Sequence, residues 1–175
     1  MTRPPSPTTA SLPGTPGTTV RRARADDAGA VSALALRSKA HWGYPPEFLE
    51  QCRSELTYTP ERCAAGSMWV AERDGEVVGF HLVAGDPPEG ELEALFVAPE
   101  HIGTGLGGLL LRHALVVAAG LGFQRLVLEA DPHAEPFYRR HGAVPEGHAT
   151  SPSTGRQLPV LSFRLPAQPS SDSPR

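Results

Sequence analysis

The sequence predicts a mixed α/β (α+β) fold, and three observations predict it. Residues 91–121 read as an apolar strand, a glycine-rich loop and a long Leu- and Ala-rich helix in direct succession. Asp74-Gly75 sits between two apolar runs, Met68 to Glu72 and Val77 to Ala84, which is the signature of a tight hairpin. Around these two units, stretches of helical and strand periodicity alternate in the order β-α-α-β-β-β-α-β-α-β.

Each element has its own reason. Val20 to Arg24 reads as a short first strand. Asp26 is placed to cap a helix and Asp27 suits its first turn, while Val31, Leu34 and Leu36 give that helix an apolar face up to about Lys39. His41-Trp-Gly-Tyr44-Pro-Pro breaks it. Pro46 can open a second helix, whose apolar face is Phe48, Leu49, Cys52 and Leu56. After the hairpin, Gly85 to Gly90 is a proline-containing loop, and Leu92 to Val97 is a strand closed by Pro99. Glycines 103, 105, 107 and 108 lead into the helix that runs to Leu121. Leu126 to Glu129 is a strand, Ala134 to His141 a short helix stopped by Gly142, and Val160 to Leu165 a last strand.

The chain has 175 residues, enough for one domain with a real core. Residues 1–19 and 166–175 are rich in Pro, Ser and Thr and read as disordered tails, leaving a folded unit at 20–165. A net charge of −3 argues against a nucleic acid or an anionic membrane as main partner, since both demand a basic surface. No uncharged apolar run is long enough to span a bilayer, and Met1 to Thr19 lacks the apolar core of a signal peptide. The expected location is therefore cytoplasmic. Cys52 and Cys63 match no metal or disulfide spacing and read as free thiols. The histidines at 81, 101, 113, 141 and 148 have no metal spacing either and read as surface or packing residues; no metal is expected.

The glycine loop is the chemical centre. The first N–H groups of a helix have no partner within it, and they lie at the positive end of its dipole. Glycines let an anion approach that backbone, so the loop from Gly103 to Gly108 is a candidate phosphate or pyrophosphate cradle; otherwise it is a loop that packs closely on the sheet. Gly103-Thr104-Gly105-Leu106-Gly107-Gly108 fits G-x-G-x-x-G, the dinucleotide fingerprint, with Glu129 near the place of a ribose-binding acid. Against that, Pro99 to Ile102 separate the strand from the glycines, and only one further strand–helix unit follows.

The run Val97-Ala-Pro-Glu-His-Ile102-Gly103-Thr104-Gly105-Leu106-Gly107-Gly108 more closely resembles the acetyl-CoA-binding motif of the GNAT acetyltransferase superfamily, R/Q-x-x-G-x-G/A. Ile102 stands where that family usually has Arg or Gln. A second segment, Asp131-Pro-His-Ala134-Glu-Pro-Phe137-Tyr138-Arg-Arg-His-Gly142, resembles the family's N-x-x-A-x-x-F/L-Y-x-x-x-G-F, with Asp131 for Asn and Ala143 for the final aromatic. The resemblance covers roughly residues 20 to 165. It implies a twisted, mostly antiparallel sheet with a V-shaped splay between the fourth and fifth strands, Leu92–Val97 and Leu126–Glu129. It also implies an N-acetyltransferase that uses acetyl-CoA held by Leu95, Phe96, Val97, residues 102–108, Asp131 and Phe137. The acceptor is then a small-molecule amine or a protein amine, and a homodimer is compatible with the family.

Direct attack of the amine on the thioester fits the lack of a nucleophilic Cys or Ser motif. A backbone N–H near Phe96 or Val97 would stabilise the oxyanion, and Tyr138 would be the acid at the departing sulfur. An alkyl ammonium must lose a proton to react, since its pKa is about 10.4. Glu91 and Glu93, two apart on one strand, are the candidate bases, Glu93 first. His41, Trp42 and Tyr44, in the connection between the first helices, are candidate walls of the acceptor pocket. His133 reads as a helix-start residue. A non-catalytic acyl-CoA sensor and an NAD(P)-dependent oxidoreductase stand as alternatives.

Overall fold

A computed structural model describes residues 10–11 and 16–167. The disorder expected for residues 1–9, 12–15 and 168–175 lies outside the described residues. The ordered chain begins before residue 20, however. A two-residue strand β1 (Ala10–Ser11) pairs antiparallel with β2 (Thr18–Arg22) through Ala10↔Val20 and Ser11↔Thr19.

The other strands are β3 (Met68–Arg73), β4 (Glu76–Asp86), β5 (Glu89–Val97), β6 (Arg125–Glu129), β7 (Val144–Thr150) and β8 (Gln157–Arg164). All eight form one sheet in the order β1-β2-β3-β4-β5-β6-β8-β7. Every neighbouring pair is antiparallel except β5 and β6, which are parallel and joined by a helical crossover. That single parallel pair overturns the dinucleotide-fold alternative, which needs a mostly parallel sheet.

Helices cover both faces. On one lie α1 (Ala28–Ala40), α2 (Pro46–Cys52) and α3 (Pro60–Ala64), around a core that includes Leu34, Phe80, Leu82 and Ala94. On the other, α4 (Leu106–Gly120) and α5 (Glu135–Arg140) pack with Val83, Leu92, Leu126 and Leu161. Helix α4 buries Leu106, Leu109, Leu110, Leu111, Ala114 and Ala118. It sits so close to β4 that a Cβ at Gly79 would come within 2.7 Å of Leu110 Cδ1. The carboxylate that caps the start of the first helical segment is Asp27, not Asp26: its Oδ2 accepts Arg24 N–H at 2.7 Å, and Arg21 clamps it from β2 at 2.8 Å.

Two elements were not legible in the sequence beside β1. Helix α3 is one short turn, capped by Thr59 Oγ1 accepting Arg62 N–H at 3.2 Å. Strand β7 carries Pro145 and Gly147 and is exposed along almost its whole length. It tolerates both because it is the sheet's edge and its register shifts between Pro145 and Gly147.

Candidate active site

The parallel pairing of β5 and β6 is brief. Glu89, Gly90 and Glu91 pair with Arg125, Leu126 and Val127, and then the strands separate. A bulge in β5 accompanies the separation: Val83 pairs with Leu92 and Leu82 with Ala94, so Glu93 is the extra residue. Before the bulge Leu92 faces the α4 side; after it Ala94 and Phe96 face the α1 side. The result is a V-shaped cleft of about 1010 Å³. From Leu92 onward the inner edge of β5 has no strand partner among the described residues, which leaves backbone groups free for a ligand.

One end of the cleft is backbone. Gly105 caps α4 with φ +91°, a left-handed conformation that favours glycine. The first bond of the helix is Leu109 N–H to Gly105 O at 3.1 Å, so the N–H groups of Leu106, Gly107 and Gly108 are left for an anion. Ile102, Gly103, Gly105, Gly107, Gly108 and Phe137 all line this end. Thr104 does not: it is exposed, and its hydroxyl donates to His101 O at 2.6 Å. Leu106 offers only its backbone, because its side chain is 2% exposed and fills the core beneath α4.

Two arginines at this end were given no role in the sequence, and His141 was read there as a surface or packing residue. Arg112, Arg140 and His141 line the cleft, and a Cβ on Gly108 would lie 3.0 Å from His141 Nε2 and 3.3 Å from Arg112 Nη1. His141 Nδ1 donates to Phe137 O at 2.8 Å, which turns Nε2 toward α4. The signal for Arg112 was its place one turn after Gly108. Arg112 and Arg140 supply positive charge beside the loop, where Ile102 supplies none.

The middle of the cleft is acidic. Glu91, Glu93 and Glu129 line it. Glu93 is ion-paired with Arg62 of α3. The Glu91 carboxyl is pushed above the usual carboxylate range, first by burial and then by the charges of Glu93 and Glu129. Tyr138, expected in the site, is packed behind the lining rather than in it, 7% exposed among Leu111, Ala114 and Ala143 and edge-on to Phe137 at 5.1 Å. Burial, followed by the charge of Asp131, raises its phenol pKa.

The other end is a side-chain network centred on Asp131. Its Oδ2 lies 2.7 Å from Lys39 Nζ, at the last turn of α1. Tyr44 O–H reaches both carboxylate oxygens at 2.9 and 3.0 Å, and His133 N–H donates at 2.9 Å. These contacts outweigh burial and hold the carboxyl down at about 2. Trp42 stacks on His133, ring centres 5.1 Å apart, and both line the cleft. Of the expected pocket walls, then, Trp42 is one. Tyr44 is turned away onto Phe48 and Asp131, with the Arg156 guanidinium over its ring at 4.8 Å, and His41 is exposed behind Trp42. His133 is a wall residue rather than only a helix start.

Among the described residues, no helix is long and apolar enough to cross a membrane. The sequence profile of the acetyltransferase (GNAT) family matches residues 35–143. The chain is 31% identical over 156 residues to a peptidyl-lysine N-acetyltransferase, YjaB, of Salmonella typhimurium, covering 84% of this chain and 97% of that one. A GCN5-related N-acetyltransferase from Rhodopseudomonas palustris has the same fold, with a TM-score of 0.71 at 23% identity over 83% of this chain and 94% of that one. So does the PaiA N-acetyltransferase of Thermoplasma acidophilum, solved in complex with coenzyme A, with a TM-score of 0.71 at 20% identity over 85% and 99% of the two chains.

Proposed function

Because the chain belongs to the GNAT acetyltransferase family, and is an acyltransferase on that ground, we propose that it moves the acetyl group of acetyl-CoA to the side-chain amine of a lysine. The observation that carries the acceptor is the acidic middle of the cleft. An incoming ammonium meets Glu91 and Glu129, neither of them held by a cation across the cleft as Glu93 is by Arg62. The lysine-directed Salmonella relative supports the same class.

The residues present fit acetyl-CoA. The free amides of Leu106, Gly107 and Gly108, with Arg112, Arg140 and His141 beside them, suit the pyrophosphate, and the unpaired edge of β5 from Leu95 to Val97 suits the amide-bearing arm. Acetyl-CoA, when bound, supplies the activated acetyl group. The chain's part is to move protons. Glu91 takes the proton from the acceptor ammonium, directly or through water: its raised pKa makes it the stronger base, and Arg62 holds Glu93 in its ion pair. The oxyanion donor is a backbone N–H of β5 near Phe96. Tyr138, protonated far above neutral pH but packed beside Phe137 behind the cleft lining, is the candidate acid for the sulfur, and Tyr138→Phe tests it.

Two assays test this together. Thermal melts with acetyl-CoA, CoA, NAD⁺ and NADP⁺ should show a rise of about 5–10 °C for the CoA ligands at a hundredfold excess over Kd, and none for the nicotinamides. Thiol release with a lysine-containing peptide should exceed release without it, and blocking the ε-amine should abolish the difference. A CoA shift with no lysine-dependent release would reject the acceptor while keeping the donor.

A further inference from the structure

Of the 16 Lys and Arg residues in the chain, Lys39 alone is a lysine. That one lysine lines the cleft. Arginine is not an acetyl acceptor here, because its guanidinium does not give up its proton in proteins. The chain therefore presents a lysine-modifying cleft with a single side-chain amine of its own, and it places that amine inside the cleft.

What holds Lys39 is equally specific. Its Nζ donates to Asp131 Oδ2 at 2.7 Å, and the two side chains are only 16% and 12% exposed. The carboxylate is kept charged and fixed by Tyr44 O–H and His133 N–H. Lys39 comes from the end of α1 and Asp131 from the residues after β6, so the pair ties together two walls of the cleft. An ammonium nitrogen that donates to a carboxylate is held in place and has no lone pair with which to attack a thioester.

We propose that Asp131 protects Lys39 from acetylation by the protein's own cleft, holding the chain's one lysine as a paired ammonium so that the acetyl group passes to an incoming amine. This rests on the acetyl-transfer reading above. With the carboxylate removed, Lys39 becomes an internal acceptor. Its ammonium gives a proton to Glu91, the free nitrogen attacks the thioester carbonyl, the C–N bond forms as the C–S bond breaks, and the second N–H proton leaves with CoA as the free thiol. Lys39 loses its charge and becomes an amide.

The test uses the full chain and mass spectrometry. Wild type, Asp131→Asn, Lys39→Arg and the double variant are incubated with acetyl-CoA, and intact mass is followed by peptide mapping. Asp131→Asn should gain one acetyl group at Lys39 at least about tenfold faster than wild type, because the carboxylate that pairs and fixes the amine is gone. Excess CoA should suppress the gain. The double variant should show none at position 39, which separates it from modification of the N-terminal amine. Tyr44→Phe, which removes one donor from the carboxylate, should give a smaller rise and serves where the first variant melts early. The guard is overturned if wild type is acetylated at Lys39 as fast as Asp131→Asn, or if both variants stay unmodified. A lysine peptide and an acetyl-CoA melt run in parallel tell the two failures apart. Peptide turnover with an unmodified Asp131→Asn protein sinks the guard alone; no shift and no transfer in any of the proteins sinks the acetyl-transfer reading with it.

Discussion

One end of the cleft is made of backbone and the other of side chains. At the α4 end, the helix's own N–H groups face the cleft, exposed by Gly103, Gly105 and Gly107, and the ligand contacts depend on where the helix sits. At the Asp131 end, Lys39, Tyr44 and His133, from two separate segments, meet on one carboxylate, with Arg156 of a third stacked behind Tyr44. The first end is therefore sensitive to packing, and the second to charge. Perturbations of each kind should separate them.

Acid gives the largest effect, and it acts on the packing end. His81 of β4 is fully buried, with Nε2 2.8 Å from His113 Nδ1 on α4 and no partner for its own Nδ1. The arrangement that leaves no buried donor unpaired has Nε2–H donating to His113 and Nδ1 bare. Burial, then the proximity of His113, lowers the His81 pKa to about 3. The sign follows directly: the unfolded chain takes up a proton near 6.5 that the folded chain refuses until about pH 3. Stability is complete above pH 6.5 and falls below it by up to about 1.4 kcal/mol per pH unit. Urea unfolding of wild type between pH 7 and 4 should show this slope, and His81→Leu should flatten it. A slope unchanged in the variant would place the acid-sensitive group elsewhere.

Replacing the proposed base comes next. Glu91→Gln should lower kcat on a lysine peptide by about a hundredfold or more, with the acetyl-CoA melt unchanged. In wild type the acid limb of the rate profile should lie above the ordinary glutamate range, because the Glu91 pKa is raised, and activity should rise as Glu91 loses its proton. A normal rate in Glu91→Gln would remove Glu91 from the chemistry.

A purely steric change should touch only the backbone end. An alanine Cβ at Gly79 would meet Leu110 Cδ1 at 2.7 Å and Phe96 O at 3.1 Å, so α4 must shift or the core must strain. Gly79→Ala should cost about 1–3 kcal/mol and weaken acetyl-CoA binding, while the KM for the peptide stays within error. Equal losses in both would mean that the two ends move as one body.

The same division explains what could be read from the sequence. The backbone end announced itself, because glycine spacing, a closing proline and a proline-free helix are local signals. The mostly antiparallel sheet and the splay came with the family resemblance, and the sheet with its β5 and β6 bears them out. Side-chain geometry was less legible. The sequence placed Glu93 before Glu91 as base; we propose the reverse order because of the bulge at Glu93 and its pairing with Arg62, 31 residues away, neither of which leaves a mark in the strand pattern. Tyr44 was read as a wall because loop aromatics often are; its bond to Asp131 spans 87 residues. Helix α3 and strand β7 were hidden by their brevity and by Pro145 and Gly147, which an edge strand can carry and a central one cannot.

The smallest effect tests the ranking of the two glutamates most sharply. The Arg62–Glu93 pair is partly exposed, with side chains 46% and 31% accessible, so it is worth at most about 1 kcal/mol. If Glu91 is the base, Arg62→Ala leaves the proton acceptor in place and removes one of the charges acting on it. It should change kcat/KM by less than about fivefold, an energy below that of a partly exposed ion pair, with any movement of the acid limb upward. If Glu93 is the base, Arg62→Ala breaks the ion pair that positions it, and kcat/KM should change by more than about fivefold. Such a change in Arg62→Ala together with a normal rate in Glu91→Gln would transfer the role to Glu93 and make the bulge, rather than the paired stretch before it, the origin of the chemistry.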